Sequence, residues 1–364
     1  MKPPVETLYR VELEALIQWD ANNLKPENWL MSPKAVRMFI LGSKKEKVGL
    51  SKIEITQKYY GDDALVERCI ITLASNRGLM LVGEPGTAKT MLSELLSAAI
   101  SKSSVNTVQG TAGTTDDNIK YSWNYALLLA KGANRESLVP APLYIGMEQG
   151  IVTRFEEITR CPSEVQDTLI SVMSDKVMSI PELGSEGFLF AKPGFNIIGT
   201  ANTRDRGVNE MSSALKRRFN FETVFPINNV SLECKIIEEQ CASMLQDCSA
   251  HLLNQDIINL IATTFHELRE GISADGTKID QPSAVMSTAE AVSVYYQTAL
   301  TGYYYENGRV SVDQLVQNLV GAVVKENRDD VAKLKSYFNT IVKNKSKKMG
   351  GIWNSFYEAR KWIK

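Results

Sequence analysis

Gly83-Glu84-Pro85-Gly86-Thr87-Ala88-Lys89-Thr90 follows an apolar run, 78–82, and opens a helical stretch, 91–100. Strand, glycine-bearing turn and helix in that order are the context a phosphate-binding loop requires. Gly83 and Gly86 let the backbone wrap closely enough for its N–H groups to face phosphates, and the helix that starts at Thr90 and Met91 adds its positive end. Lys89 then reaches the β and γ phosphates of a bound nucleotide, for which ATP is the expectation. The Thr90 hydroxyl is the expected Mg²⁺ ligand, because Mg²⁺ prefers oxygen donors. The usual pattern has glycine before the lysine, whereas this chain has Ala88; the methyl group is tolerated if Ala88 keeps a negative φ.

Downstream, the run 151–155 ends in Glu156-Glu157. In phosphate-loop hydrolases such a pair holds the hydrated metal, here with Glu156, and orients the attacking water, here with Glu157. Two features are unusual. The metal-side residue is Glu where Asp is usual, and Thr153 and Arg154 interrupt what should be an apolar buried strand, so Arg154 is expected to pair with an acidic neighbour. A third apolar run, 195–201, stops at Asn202-Thr203-Arg204-Asp205-Arg206-Gly207, which places Asn202 to bridge the γ phosphate and the water. The stretch 211–219 carries Lys216-Arg217-Arg218-Phe219. Its cations either complement a helix C-terminus or send Arg218, or Arg217 beside it, into a neighbouring subunit's nucleotide.

The order of these motifs resembles that of AAA+ ATPases, and within them the MoxR and dynein-related group. The resemblance runs from about residue 60 to about residue 300. It is carried by the phosphate loop with its Ala88, by Glu156-Glu157-Ile158-Thr159-Arg160, by Val165-Gln166, by Ala201-Asn202 and by Arg218-Phe219. It implies a three-layer α/β/α core with a parallel sheet, followed by an all-α lid. It also implies that Tyr60, Gly61 and Asp62 lie near the adenine, that Asn202 is sensor 1 and that Arg218 is the arginine finger, with Arg217 left open. Where the family often has a sensor 2 arginine, Met286-Ser287-Thr288-Ala289-Glu290 offers alanine, so no such arginine is expected there. A hexameric homo-oligomeric ring, chaperone-like remodelling and a client or partner with a von Willebrand factor A domain are further family expectations. Gln109 to Leu129, with Tyr121, Trp123 and Tyr125, falls where the family carries ring-lining loops, although inward-facing core aromatics are the preferred reading.

The division expected is a helical extension over 1–59, the nucleotide-binding core over 60–228, a helical lid over 229–330 and a basic, aromatic helical tail over 331–364. Lid helices are expected at 232–245, 256–270, 287–300 and 312–325. The tail aromatics Tyr337, Phe338, Trp353, Phe356, Tyr357 and Trp362 are read as packing inward. Across all 364 residues, 41 Lys and Arg nearly balance 42 Asp and Glu, which argues against a general polycation for nucleic acid. Five cysteines, Cys69, Cys161, Cys234, Cys241 and Cys248, lack paired spacing and read as reduced thiols; the last three recur every seven residues, near His251. No signal-peptide core and no membrane-length apolar run are seen, so a cytoplasmic location is expected. Two rival readings stay open. One is a nucleotide-controlled switch that turns over slowly or not at all. The other is an NTPase motor on DNA, suggested by Asn202-Thr203-Arg204-Asp205-Arg206, which resembles the Asn-x-x-Asp-Arg signature of McrB-like proteins.

Overall fold

The computed structural model describes residues 3–50, 52–203, 209–245, 252–325 and 327–364. It divides into two compact units, one comprising the chain up to Gly83 with Ala88–Val224, the other comprising Glu84–Thr87 with Phe225–Lys364.

The first unit is organised by a five-stranded parallel sheet. Its strands are β1 (Gly78–Gly83), β2 (Thr107–Gln109), β3 (Val152–Glu156), β4 (Asn196–Asn202) and β5 (Phe219–Val224), in the spatial order β5-β1-β4-β3-β2. The two runs expected at 151–155 and 195–201 each shift by one residue, and Glu156 and Asn202 become the last residues of β3 and β4. Side chains alternate across β1. Leu79 and Leu81 pack into a cluster with Leu65 and Ile70 of α1 (Asp63–Ala74) and Leu92, Leu95 and Leu96 of α2 (Lys89–Ser101), whereas Met80 turns to a second cluster with Phe155, Ile197 and Phe219. A sheet buried on both faces is the middle of three layers, as expected.

Helical segments at Arg10–Trp19 and Pro33–Leu41 add Leu13, Leu16, Phe39 and Ile40 to the first cluster. Ser32 caps the latter by accepting from Ala35 N–H, and Pro33 occupies its first turn, where its missing N–H costs nothing.

An antiparallel pair, Tyr121–Trp123 with Leu138–Pro140, brackets the helix Tyr125–Lys131. Tyr121 and Trp123 pack against the second cluster as expected, but Tyr125 does not: it is 71% exposed on a helix that buries none of its residues. That helix is apolar along almost its whole length, and it leaves Leu129 exposed at 89% as well.

The second unit contains α3 (Val230–Met244), α4 (Gln255–Glu270), α5 (Thr288–Tyr305) and α6 (Val312–Val323), close to the helices read from periodicity. Asn229, Asn254, Ser287 and Ser311 each accept from a backbone N–H three residues on, which is why the four helices start there. Arg269 ties three segments together by donating to both carboxylate oxygens of buried Glu233, at 2.9 and 3.0 Å, and to the carbonyls of Met286 and Ile227. The tail buries Tyr337, Phe338, Trp353 and Phe356, with Phe338 and Phe356 ring centres 4.6 Å apart. Trp362 departs from the expectation at 38% exposure, its indole N–H donating to Asp313. Cys234 and Cys241 are buried on α3, while Cys248 and His251 lie outside the described residues. Among the described residues, no cluster of His, Cys, Asp and Glu could hold a metal by itself, and no helix is long and apolar enough to cross a membrane.

Candidate active site at the carboxyl ends of the strands

The register of the sheet assembles the site. Gly83 at the end of β1 lies beside Asn202 at the end of β4, and Gly199 pairs with Phe155, so Thr200 runs alongside Glu156. Gly110, just after β2, donates its N–H to the Glu156 carbonyl at 2.7 Å, and a Cβ there would stand 2.3 Å from the Glu157 carbonyl oxygen. Only glycine permits that approach.

Around the phosphate loop, buried Lys89 donates from Nζ to the Gly83 carbonyl at 3.1 Å, and the Thr203 N–H donates to the same carbonyl at 3.0 Å. Ala88 contradicts the expectation of a negative φ: it sits at φ 67° and ψ 22°, in the left-handed region. The turn from loop into α2 requires that conformation, and the alanine accepts it at the steric cost of its Cβ. Met91 packs against the apolar cluster beneath α2. Within the second unit, Thr87 Oγ1 donates to the Glu84 carbonyl at 2.9 Å. There too, a Cβ on Gly86 would meet Ser287 Oγ at 2.3 Å and the Ala289 methyl at 3.8 Å.

Glu156 is the most connected residue of the site. Its Oε2 accepts from Thr90 Oγ1 at 3.0 Å and from Thr200 Oγ1 at 2.7 Å; its Oε1 accepts from Arg154 Nη2 at 2.6 Å and lies 2.7 Å from Ser93 Oγ. Burial raises the pKa of this carboxyl, but the Arg154 charge and the hydroxyl donors outweigh burial and hold it below the usual value. Arg154 pairs with an acidic neighbour as expected. Thr153, the other polar residue of β3, is satisfied by Asn106 Nδ2 at 3.1 Å and the Pro142 carbonyl at 3.2 Å.

Glu157 adopts φ 54°, its N–H donating to Thr200 Oγ1 at 3.0 Å and its carboxylate pairing with Arg160 Nε at 2.7 Å. Thr200 thus links the two glutamates, accepting from one and donating to the other. Ser93 and Thr200 were not singled out from sequence. Their signals were spacing: Ser93 is one helical turn beyond Thr90, and Thr200 shares a strand face with Asn202.

Tyr60 and Gly61 form the segment before α1, where Asp62 caps the helix by accepting from Ala64 N–H at 2.9 Å. Arg217 and Arg218 lie at the opposite end of the strands: the Arg218 carbonyl accepts from Gly78 N–H, at the start of β1, whereas the phosphate loop leaves from its end. Six residues of strand span roughly 17 Å, so neither arginine belongs to the nucleotide site of its own chain. Arg204, Asp205, Arg206 and Gly207 lie outside the described residues.

The donor set suits Mg²⁺ carried in by a nucleotide. The Thr90 hydroxyl at the start of α2 and the Glu156 carboxylate at the end of β3 offer oxygen donors to an ion that takes its other oxygens from phosphate and water.

Comparisons with known proteins point to one family. Residues 78–219 match the family model of the AAA domain of the dynein-related subfamily, and residues 231–364 match that of the YehL-like AAA+ ATPase C-terminal domain. The uncharacterized protein YehL of Escherichia coli K12 is 46% identical over 361 residues, covering 99% of this chain and 96% of YehL. The chaperone MoxR1 of Mycobacterium tuberculosis is 27% identical over 172 residues, covering 46% of this chain and 41% of MoxR1. Among solved structures, NtrX from Brucella abortus in complex with ADP aligns with a TM-score of 0.48 at 12% identity, covering 83% of this chain and 68% of that one. The chain is a member of the MoxR-like, dynein-related AAA+ ATPases, in their YehL-like branch.

Proposed function

We propose that this protein binds ATP with Mg²⁺, hydrolyses it in a homo-oligomeric ring, and uses the cycle to remodel a partner protein in the cytoplasm. The observation that carries the reading is the junction of Thr90, Glu156 and Thr200 beside Lys89, with Glu157 following on the same strand end. In this reading Gly83, Glu84, Pro85, Gly86, Thr87 and Ala88 wrap the phosphates, Lys89 binds the β and γ oxygens, and Tyr60 and Gly61 border the adenine. Bound Mg²⁺, held through Thr90 with Glu156 behind it, supplies neutralisation of phosphate charge. Glu157 orients the attacking water, Asn202 contacts the γ phosphate, and Arg218 or Arg217 completes a neighbouring subunit's site.

The remodelling role rests on the MoxR1 relative, which is described as a chaperone, and on family resemblance; a hexamer and a partner with a von Willebrand factor A domain belong to the same resemblance. The proposed division is an extension at 1–59, the core at 60–228, the lid at 229–330 and the tail at 331–364. Steady-state ATP hydrolysis measured against protein concentration, with light scattering in parallel, tests the reading. Turnover that rises cooperatively with assembly and disappears in Lys89→Ala supports it; ATP binding without turnover in any assembly state overturns it. That second outcome is what a nucleotide-controlled switch predicts, a reading favoured by Ala289 standing where a lid arginine was sought.

A further inference from the structure

Arg154 is a cation in the interior of a parallel sheet, 4% exposed, and every one of its three nitrogens is engaged. Nε donates to Ser93 Oγ at 2.9 Å, Nη1 to the Ser104 carbonyl at 2.6 Å and Nη2 to Glu156 Oε1 at 2.6 Å. The carboxylate of Glu94, more exposed, stands 4.0 Å from Nη2. This fork fixes one oxygen of Glu156 and leaves the other to Thr90 and Thr200. Ser93 has a single proton to share between Glu156 Oε1 and the Thr90 carbonyl at 2.8 Å, so the guanidinium is the permanent donor on that side.

The consequence is electrostatic. In a phosphate-loop site an acidic residue next to the metal-binding hydroxyl repels the nucleotide's phosphates unless a cation intervenes, and in most sites that cation is the metal. Here a resident guanidinium already lies against the acid, in a buried environment where water screens the pair poorly.

Building on the nucleotide-binding reading above, we propose that Arg154 is a positioning residue that orients Glu156 toward Thr90 and cancels its charge, so that the site accepts a nucleoside diphosphate even without a divalent cation. Arg154 touches neither phosphate nor metal; it acts through Glu156.

Titration of the full-length protein with fluorescent methylanthraniloyl-ADP, in EDTA and in saturating Mg²⁺, tests this by a charge cycle. Arg154→Gln leaves Glu156 uncompensated, and its affinity in EDTA is expected to fall roughly tenfold while that in Mg²⁺ changes far less. Glu156→Gln leaves the cation uncompensated, and EDTA affinity is expected to rise by roughly the same factor. The double variant removes both charges and returns to within about threefold of wild type. A packing role would instead weaken binding in both buffers together, or leave it unmoved, and either result overturns the proposal. If Arg154→Gln alone fails to fold, as thermal melting would reveal, Glu156→Gln and the double variant still decide by opposite or equal shifts. Absence of ADP binding by wild type in both buffers would overturn the nucleotide-binding reading itself, a result distinct from an unmoved cycle.

Discussion

Arg218 is turned back onto its own unit, with Nε donating to Ser174 Oγ at 2.7 Å and Nη1 to the Ala214 carbonyl at 2.5 Å, while Arg217 beside it is exposed. An arginine that serves a neighbouring subunit from this position must leave those two acceptors first. Both are local and partly solvated, so the exchange costs little. Arg218→Ala is expected to lower turnover by roughly a thousandfold, the scale of a lost arginine finger, with nucleotide affinity retained. Arg217→Ala is expected to stay near wild type. Turnover of each variant, alone and mixed with Lys89→Ala subunits, checks the assignment: rescue of Arg218→Ala by the mixture shows that the arginine acts in trans.

Glu157 and Glu156 are neighbours in the chain with different surroundings, and the proposed roles follow those surroundings. Glu156 is buried and accepts from Thr90, Thr200 and Arg154, whereas Glu157 is partly exposed and pairs with Arg160. A residue that orients water needs a lone pair to offer. Glu157→Gln is expected to reduce turnover by at least roughly a hundredfold while preserving ATP binding. Equal loss of binding and turnover would assign Glu157 to holding the loop instead.

Much of this was legible in the sequence because a sheet buried on both faces demands apolar runs, and 78–82 and 195–201 supplied them at the ends where Gly83 and Asn202 appear. The acidic pair was legible despite Thr153 and Arg154, since polar residues in a buried strand announce partners. What those partners were was not legible. Ser93 and Ser104 come from a helix and a loop and meet Arg154, while the register that sets Gly199 beside Phe155 brings Thr200 to Glu156. The backbone of Ala88 was misread for a related reason. Local preference favours negative φ for alanine, but the left-handed residue that precedes α2 overrides it.

That override is open to measurement. With Ala88 at φ 67°, replacement by glycine removes the contact between Cβ and backbone that the left-handed region imposes. It also loosens the unfolded chain, which offsets part of the gain. Ala88→Gly is expected to stabilise the protein by about 0.5–1 kcal/mol, with nucleotide affinity unchanged or tighter. Chemical denaturation at matched conditions checks the first, and titration with ADP the second. Destabilisation would mean that the alanine methyl packs favourably enough to repay its strain.

The second unit has its own acid-sensitive lock. Asp330, 1% exposed, accepts from Ser283 N–H at 3.0 and 3.1 Å, from the Ser283 hydroxyl and from Lys333 Nζ at 3.1 Å. Burial pushes its pKa up, but the Ser283 donors and Lys333 win, so the folded-state value lies below the ordinary 3.8. A depressed carboxyl contributes stability that is complete above the unfolded pKa and is lost as pH falls through the folded one. Asp330→Asn should therefore cost about 1–3 kcal/mol at neutral pH, through donors left facing an amide that cannot accept from all of them. The difference from wild type should shrink only below about pH 4, where the aspartate of the unfolded chain begins to protonate ahead of the folded one. Thermal melts of both proteins from pH 3 to 7 check this, and a gap that stayed constant across the range would show that shape, not charge, holds Ser283 to Asp330.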